Sequence, residues 1–203
     1  MFEIIQKGGI MMYPIILLSV ISLGIFLERL FVLRVSNFVP KVFLDKLSLF
    51  LAKKDFEGAI QLCEADRSSI ARIAKDIVNN IDLPVSRLTE FVEEAGNFEV
   101  QRLERFLPTL QTVASLAPLL GFLGTVLGMI QTFMVMANQG NANIQALSGG
   151  IAVALLTTAA GLFVAVPTVI FYHIIRHRAD KISLELEKAT SQIMNLIFKE
   201  GGR

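Results

Sequence analysis

Uncharged, apolar residues are concentrated in two stretches of the sequence. One covers residues 10–27, and the other covers residues 106–175 without a single Asp, Glu, Lys or Arg. A helix needs about 20 apolar residues to cross a bilayer, so the first stretch has room for one span and the second has room for two. The polar segment 137–143 divides the second stretch. The pattern therefore predicts transmembrane helices at residues 10–27, 111–136 and 147–175.

The composition agrees with a membrane protein, because 53% of the residues are hydrophobic and only 18% are charged. Residues 1–9 hold one Glu and one Lys, which is not the basic segment that opens a signal peptide. No cleavage pattern of small residues follows the apolar run at Leu27. We expect the first span to be retained.

Basic residues flank the spans almost entirely on one side. They are Arg29 and Arg34 after the first span, Arg102 and Arg105 before the second, and Arg176, Arg178 and Lys181 after the third. At the opposite ends of the three predicted spans, the only basic residue is Lys7. Since cytoplasmic loops carry an excess of Lys and Arg, residues 28–110 and 176–203 are predicted to be cytoplasmic. The N-terminal segment 1–9 and the loop 137–146 are then periplasmic.

The more polar part of the chain has the apolar spacing of helices. This spacing recurs in the segments 44–51, 56–63 and 70–81. The segment 82–86 predicts a break, with Ser86 as candidate N-cap of a helix that continues without interruption into the second span and is kinked by Pro108. The sequence predicts an all-α integral membrane protein in which transmembrane helices 2 and 3 extend into a cytoplasmic helical domain.

Small residues form a stripe along each of the last two spans. The stripes comprise Ala117, Gly121, Gly124 and Gly128 in the second span and Gly150, Ala154, Thr157, Gly161 and Ala165 in the third. Steps of three and four residues place each set on one helix face, where another backbone can come close. Such stripes occur in many membrane helices, so they predict tight packing and not, by themselves, a pore. Pro118 and Pro167 are interpreted as residues that shape these helices.

Hydroxyl groups are the candidate polar groups inside the spans. Thr125, Thr157 and Thr158 lie near mid-span. A threonine there can bond to a carbonyl of its own helix, or the hydroxyls of two facing helices can form a polar lining. No span contains an Asp, Glu, Lys or Arg, the residues that usually mark an ion relay. If this protein moves protons, the titrating group must come from another chain.

Other combinations of residues point to no further chemistry. His173, His177 and Asp180 have a spacing that metal ligands can adopt, but a polar helix end at the membrane surface explains them more simply. The glycines of segment 121–128 lack the Lys of a phosphate-binding loop. The single Cys63 excludes an intrachain disulfide, and a net charge of +1 argues against a nucleic-acid partner. We expect no enzymatic activity, no metal and no cofactor.

Three regions of the sequence resemble one known family. They are Gly8-Gly-Ile-Met-Met-Tyr-Pro14 with Leu27-Glu-Arg-Leu30, Ala117-Pro-Leu-Leu-Gly-Phe-Leu-Gly-Thr-Val-Leu-Gly128, and Leu147-Ser-Gly-Gly-Ile-Ala-Val-Ala-Leu-Leu-Thr-Thr-Ala-Ala-Gly161. Together they resemble the span signatures of the MotA/TolQ/ExbB proton-channel family, closest to its three-span ExbB- and TolQ-like subunits. The resemblance covers nearly the whole chain and is weakest in residues 36–85.

The resemblance implies a stator subunit in a bacterial inner-membrane complex driven by the protonmotive force. A pentameric ring would surround single-pass helices of an ExbD- or TolR-like partner, each with one essential Asp. A TonB- or TolA-like protein would carry the work towards the outer membrane. Thr125 and Thr158 match the family's pore-lining threonines on the proton pathway, and Thr157 is an additional hydroxyl. Many relatives have a Glu where this chain has Val153, so either that acid is dispensable or this branch works without it.

Two other functions stay open: a self-sufficient channel or transporter for a small solute, and a structural membrane scaffold. A predominantly apolar pore tends to be dry, which weighs against an ion channel. Only the stator subunit depends on a partner carboxylate, so loss of that carboxylate would separate it from the other two. An ExbB-like or TolQ-like identity, the cargo and the rotation of one component in another also stay open.

Overall fold

The computed structural model describes residues 9–139 and 144–199. In chain order these residues form the helices α1 (Met12–Val32), α2 (Val35–Phe38), α3 (Lys41–Ala52), α4 (Phe56–Ala65), α5 (Ser69–Asn79), α6 (Val85–Glu104), α7 (Leu107–Gln139) and α8 (Ile144–Lys199). The described residues include no strand. The all-α class predicted from the sequence is confirmed.

Three helical segments of the described chain are long and apolar enough to cross a membrane. They are Met12–Val32, Val85–Ala137 and Ser148–Phe198. The number of predicted spans is confirmed. The last two segments are far longer than the roughly 20 residues that a bilayer requires, so both extend beyond their predicted spans.

The second of these segments consists of α6 and α7 and is interrupted between them. α6 ends at Glu104 and α7 begins at Leu107, so Arg105 and Phe106 form a turn. Pro108 explains the interruption, because proline has no N–H to donate to the carbonyl of Glu104 and its ring crowds that carbonyl. The prediction of an uninterrupted helix is wrong, whereas the local distortion at Pro108 is confirmed.

The start of α6 also differs from the prediction. Its first helical residue is Val85, and Pro84 holds the capping position, where its carbonyl accepts the Leu88 N–H at 3.0 Å. Ser86 lies inside the first turn, so its prediction as the N-cap is wrong. Proline suits the residue before a helix because this position needs no N–H partner and tolerates its fixed φ, which is −54° here.

The helices belong to two compact units. One comprises the described parts of Met1–Glu28 and Phe106–Ile174, and the other comprises those of Arg29–Arg105 and Ile175–Arg203. In the first unit, Phe26 of α1 stacks on Phe171 of α8 with 4.0 Å between the ring centroids. An aromatic stack therefore packs the first predicted span against the third.

Pro118 and Pro167 lie inside α7 and α8, both in the first unit. Each leaves the carbonyl four residues earlier without its usual N–H donor, and each helix nevertheless continues past its proline. The role of the two prolines in shaping these helices stays a prediction.

The second unit is built on the apolar face of α5. Its buried residues include Ile70, Ile73, Ala74 and Ile77, as the helical spacing predicts. α5 contacts both α4 and α6. The hydroxyl of Ser68 caps α5 by accepting the Ala71 N–H at 3.3 Å. A capped amphipathic helix therefore forms the centre of this unit.

A buried carboxylate joins α5 to α6. Glu99 accepts hydrogen bonds from the Ser69 hydroxyl at 2.6 Å and from the Arg72 guanidinium at 2.8 and 3.0 Å. Arg102 lies 3.3 Å from the same carboxylate. Burial alone would raise the pKa of Glu99, but the hydrogen bonds from Arg72 and Ser69 outweigh burial and hold the pKa below its ordinary value. The ionised carboxylate is therefore part of the folded unit.

Replacing Glu99 with Gln keeps the size of the side chain and removes its charge. We expect the free energy of unfolding at pH 7 to fall by about 2 kcal/mol, because Ser69 and Arg72 lose a charged acceptor. The folded-state pKa lies below the ordinary 4.5, so this stabilisation is complete above that pH and is lost as the pH falls through the folded-state value. Melting curves followed by circular dichroism should differ at pH 7 and converge in acid.

Glu64→Gln is the matched control. Glu64 pairs with Lys75 at 2.8 Å on an exposed surface, where an ion pair contributes little to stability. Equal losses of stability in the Glu64 and Glu99 variants at pH 7 would contradict the special role of the buried carboxylate. A difference between wild type and Glu99→Gln that persists in acid would contradict its lowered pKa.

Candidate functional site

The candidate site lies where α7 packs against α8 in the first unit. The small-residue stripes of the two helices face each other. A side-chain carbon built at Gly121 would lie 3.1 Å from backbone atoms of Thr157 and Thr158. One built at Gly128 would lie 3.0 Å from the side chain of Ala154. The two predicted stripes are therefore brought together within one chain.

The backbones approach most closely at Gly161. A side-chain carbon there would lie 2.5 Å from the carbonyl oxygen of Ala117 and 3.1 Å from the Cα atom of Gly121. Ala117 is fully buried, and Ala165, one turn beyond Gly161 on α8, is buried as well. Because the obstacle is backbone, a larger residue at Gly161 would have to push the helices apart.

Two other glycines make room for threonines. A carbon added at Gly124 would overlap the side chain of Thr157, and one added at Gly150 would overlap the side chain of Thr132. Thr132 is buried and donates its hydroxyl to the Gly128 carbonyl at 2.8 Å. The pattern of small residues did not reveal Thr132, because only the pairing of the helices places it against Gly150.

The adjacent threonines of α8 make different hydrogen bonds. Thr158 is half-buried and donates its hydroxyl across the helix pair to the Gly121 carbonyl at 2.9 Å. Thr157 is fully buried and donates to the Val153 carbonyl of its own helix at 3.0 Å. The Thr158 hydroxyl therefore bridges α7 and α8, and the residue also reaches the surface of the pair.

Thr125 lies one helical turn after Gly121, on the same face of α7. It is half-buried and donates its hydroxyl to the Phe122 carbonyl at 2.6 Å. The oxygens of Thr125 and Thr158 keep lone pairs for accepting further hydrogen bonds. Both residues can therefore bind a polar group that approaches the helix pair, although neither can titrate.

A crevice of about 250 Å³ opens between α7 and α8. Its lining comprises Gly128, Gln131, Thr132, Val135, Gly150 and Val153. Sequence reasoning missed Gln131 as a candidate residue. A signal was present, because Gln131 is the only amide side chain of the predicted span 111–136 apart from Gln111 at its start.

The histidines at the end of the third predicted span form no evident site. His173 lies edge-on to Tyr172, with 5.3 Å between the ring centroids. Across residues 9–139 and 144–199, no three His, Cys, Asp or Glu side chains are grouped as metal ligands. The structure therefore gives no further support for a metal site at His173 and His177 beyond their spacing in the sequence.

Comparison with known proteins identifies relatives of this chain. The MotA/TolQ/ExbB proton channel family matches residues 65–188. The biopolymer transport protein ExbB-like 3 of Synechocystis sp. is 30% identical, over 96% of this chain and 93% of its own. The exbB1 protein of Vibrio cholerae is 28% identical, over 93% of this chain and 84% of its own. The TolQ protein of Haemophilus influenzae is 35% identical, over 52% of this chain and 46% of its own.

Replacing Gly161 with Ala tests the close contact between α7 and α8. We expect a loss of stability of roughly 2 kcal/mol, because the added methyl group meets the backbone carbonyl of Ala117. The temperature at which the detergent-purified protein leaves its size-exclusion peak should fall by several degrees. Gly24→Ala in α1 is the control, since nothing lies within 4 Å of a carbon added there. An equal fall in this temperature for the Gly161 and Gly24 variants would contradict the close contact between α7 and α8.

Proposed function

The chain belongs to the MotA/TolQ/ExbB proton channel family, and from that membership we propose that it is the ExbB/TolQ-like subunit of a proton-driven complex in the bacterial inner membrane. The observation that carries the proposal is the α7–α8 contact, where Thr158 bonds across the helix pair to Gly121. This polar contact lies in a sequence without Asp, Glu, Lys or Arg from residue 106 to residue 175. Such a pair needs a titrating group from another chain.

The proposed source of that group is an ExbD- or TolR-like single-pass partner with an intramembrane Asp. An ionised carboxylate is costly in hydrocarbon unless hydrogen-bond donors surround it. Thr125 and Thr158 are proposed to line the pore where this Asp lies. Their oxygens can accept from the protonated acid, and their hydroxyls can turn to donate to the carboxylate. They would thus solvate both states of the Asp without titrating.

The subunit is proposed to form a homopentamer around the partner helices. Large apolar side chains are exposed on the single chain, where Leu119, Phe122 and Phe163 are 62%, 66% and 81% exposed. In the complex these side chains would meet lipid or neighbouring copies. A TonB- or TolA-like protein is proposed to use the resulting work at the outer membrane.

The proposed orientation follows the basic residues at the ends of the spans. Residues 1–9 and the loop 137–146 are proposed to face the periplasm. Residues 28–110 and 176–203 are proposed to face the cytoplasm. The buried Glu99 and its partners then belong to the cytoplasmic part of the subunit.

Co-expression with a partner from the neighbouring genes tests the assembly and its proton flux. Native mass spectrometry after mild detergent extraction should detect a pentamer with a smaller number of partner chains. In vesicles that carry a pH-sensitive dye, proton entry should require the partner's Asp, because this subunit offers no carboxylate in its spans. A monomer or dimer without a partner, or flux that survives the Asp→Asn change, would contradict the proposal.

Replacing Thr158 with Val tests the role of its hydroxyl. The change preserves volume, so the complex should assemble, but proton flux should fall by roughly tenfold because a hydrogen-bonding group for the partner acid is lost. Thr158→Ser should restore most of the flux. Thr168→Val is the matched control, since the fully buried Thr168 donates only to the Val164 carbonyl of its own helix at 2.7 Å. Normal flux in an assembled Thr158→Val complex would overturn the assignment.

A further inference from the structure

The crevice between α7 and α8 has one amide side chain on a mostly apolar wall. Gln131 projects from α7, while Val135 and Val153 supply apolar surface. Gln131 is exposed, and within the described part of the chain its amide makes no hydrogen bond. The hydrocarbon of a bilayer offers no partner to such a group. The amide must therefore meet water or a polar group of another molecule.

The crevice is large enough for water and carries two polar side chains, Gln131 and Thr132, that can bind it. A volume of about 250 Å³ has room for several water molecules. The Gln131 amide offers two N–H donors and one acceptor oxygen, and the Thr132 oxygen offers further acceptor capacity. A water molecule in a protein typically needs two to four such partners. No lining residue is ionisable, so nothing in the crevice would trap a proton.

We propose that Gln131 holds water in this crevice and that the hydrated crevice is a second polar station of the proton route, beyond Thr125 and Thr158. This inference rests on the proposed function. The crevice begins at Gly128, one turn past Gly124 on the same α7 face that packs against Thr157. Water held there would extend the polar path from the threonines along α7 towards its C-terminal end.

Cysteine labelling in membranes that contain the assembled complex tests the hydration directly. Only an ionised thiol reacts with a charged methanethiosulfonate, and ionisation requires water. The native Cys63 gives little background, because burial raises the pKa of its thiol to about 11. Val153→Cys should react at least about tenfold faster than Phe163→Cys, whose position is 81% exposed but lies outside the crevice. Equal rates would overturn the inference.

A second substitution links the water to Gln131. Adding Gln131→Leu to Val153→Cys should slow labelling by roughly tenfold, because the amide that holds the water is gone. The Gln131→Leu change alone should lower proton flux, and Met134→Leu, an exposed position outside the crevice, should not. Moving the amide across the crevice, with Gln131→Val and Val153→Gln together, should restore flux. Slow labelling of the double variant, together with normal proton flux in the Gln131→Leu variant, would show that the water in the crevice is not part of the proton route.

The two proposals fail in different ways. If Thr158→Val lowers flux while Gln131→Leu leaves labelling and flux unchanged, the inference about the crevice is wrong and the proposed function stands. If the wild-type complex conducts no protons with its partner, the proposed function is wrong and the proton-route role falls with it. Fast labelling of Val153→Cys would then still establish water in the crevice.

Discussion

The closeness of two backbones at Gly161 is the constraint on which the α7–α8 pair depends. Lipid tails are as apolar as the side chains they touch, so burial alone does not hold membrane helices together. Van der Waals contact and hydrogen bonds across the pair must do so. No side chain fits between Gly161 and the Ala117 carbonyl, and this closeness lets the Thr158 hydroxyl reach the Gly121 carbonyl at 2.9 Å. The close packing at Gly161 is therefore what brings the hydrogen bond of Thr158 within reach.

The same contact is polar without being charged, because residues 106–175 contain hydroxyl groups but no Asp, Glu, Lys or Arg. Hydroxyls already bonded to carbonyls, such as those of Thr125 and Thr158, lie in a spanning helix at little cost. In the proposed complex the partner therefore supplies the negative charge, and only the ionisation of the partner's Asp changes the charge of the site. This subunit contributes a surface that tolerates both states.

Much of the fold could be predicted because a bilayer imposes simple rules on length and charge. The spans and the small-residue stripes follow from those rules alone. The Ser69–Glu99 hydrogen bond could not be predicted, since the two residues are 30 positions apart and no periodic pattern links them. Because of its residue type, Ser86 was the predicted N-cap of α6, but Pro84 is the N-cap in the structure. The cross-helix bond of Thr158 depends on how α7 is rotated against α8, which a stripe of small residues does not specify.

The residue at position 153 affects what the crevice can do, because it is one of the residues that line it. The family resemblance of the sequence implies a Glu at this position in many relatives, and a Glu there could take up a proton and release it. Here Val153 lines the crevice with Gln131, and an amide can orient water but cannot titrate near neutral pH. Along the proposed route, a proton would then bind to a titratable side chain only at the partner's Asp. With Val153 instead of an acid, the proposed crevice would stay hydrated but would hold one titrating group fewer.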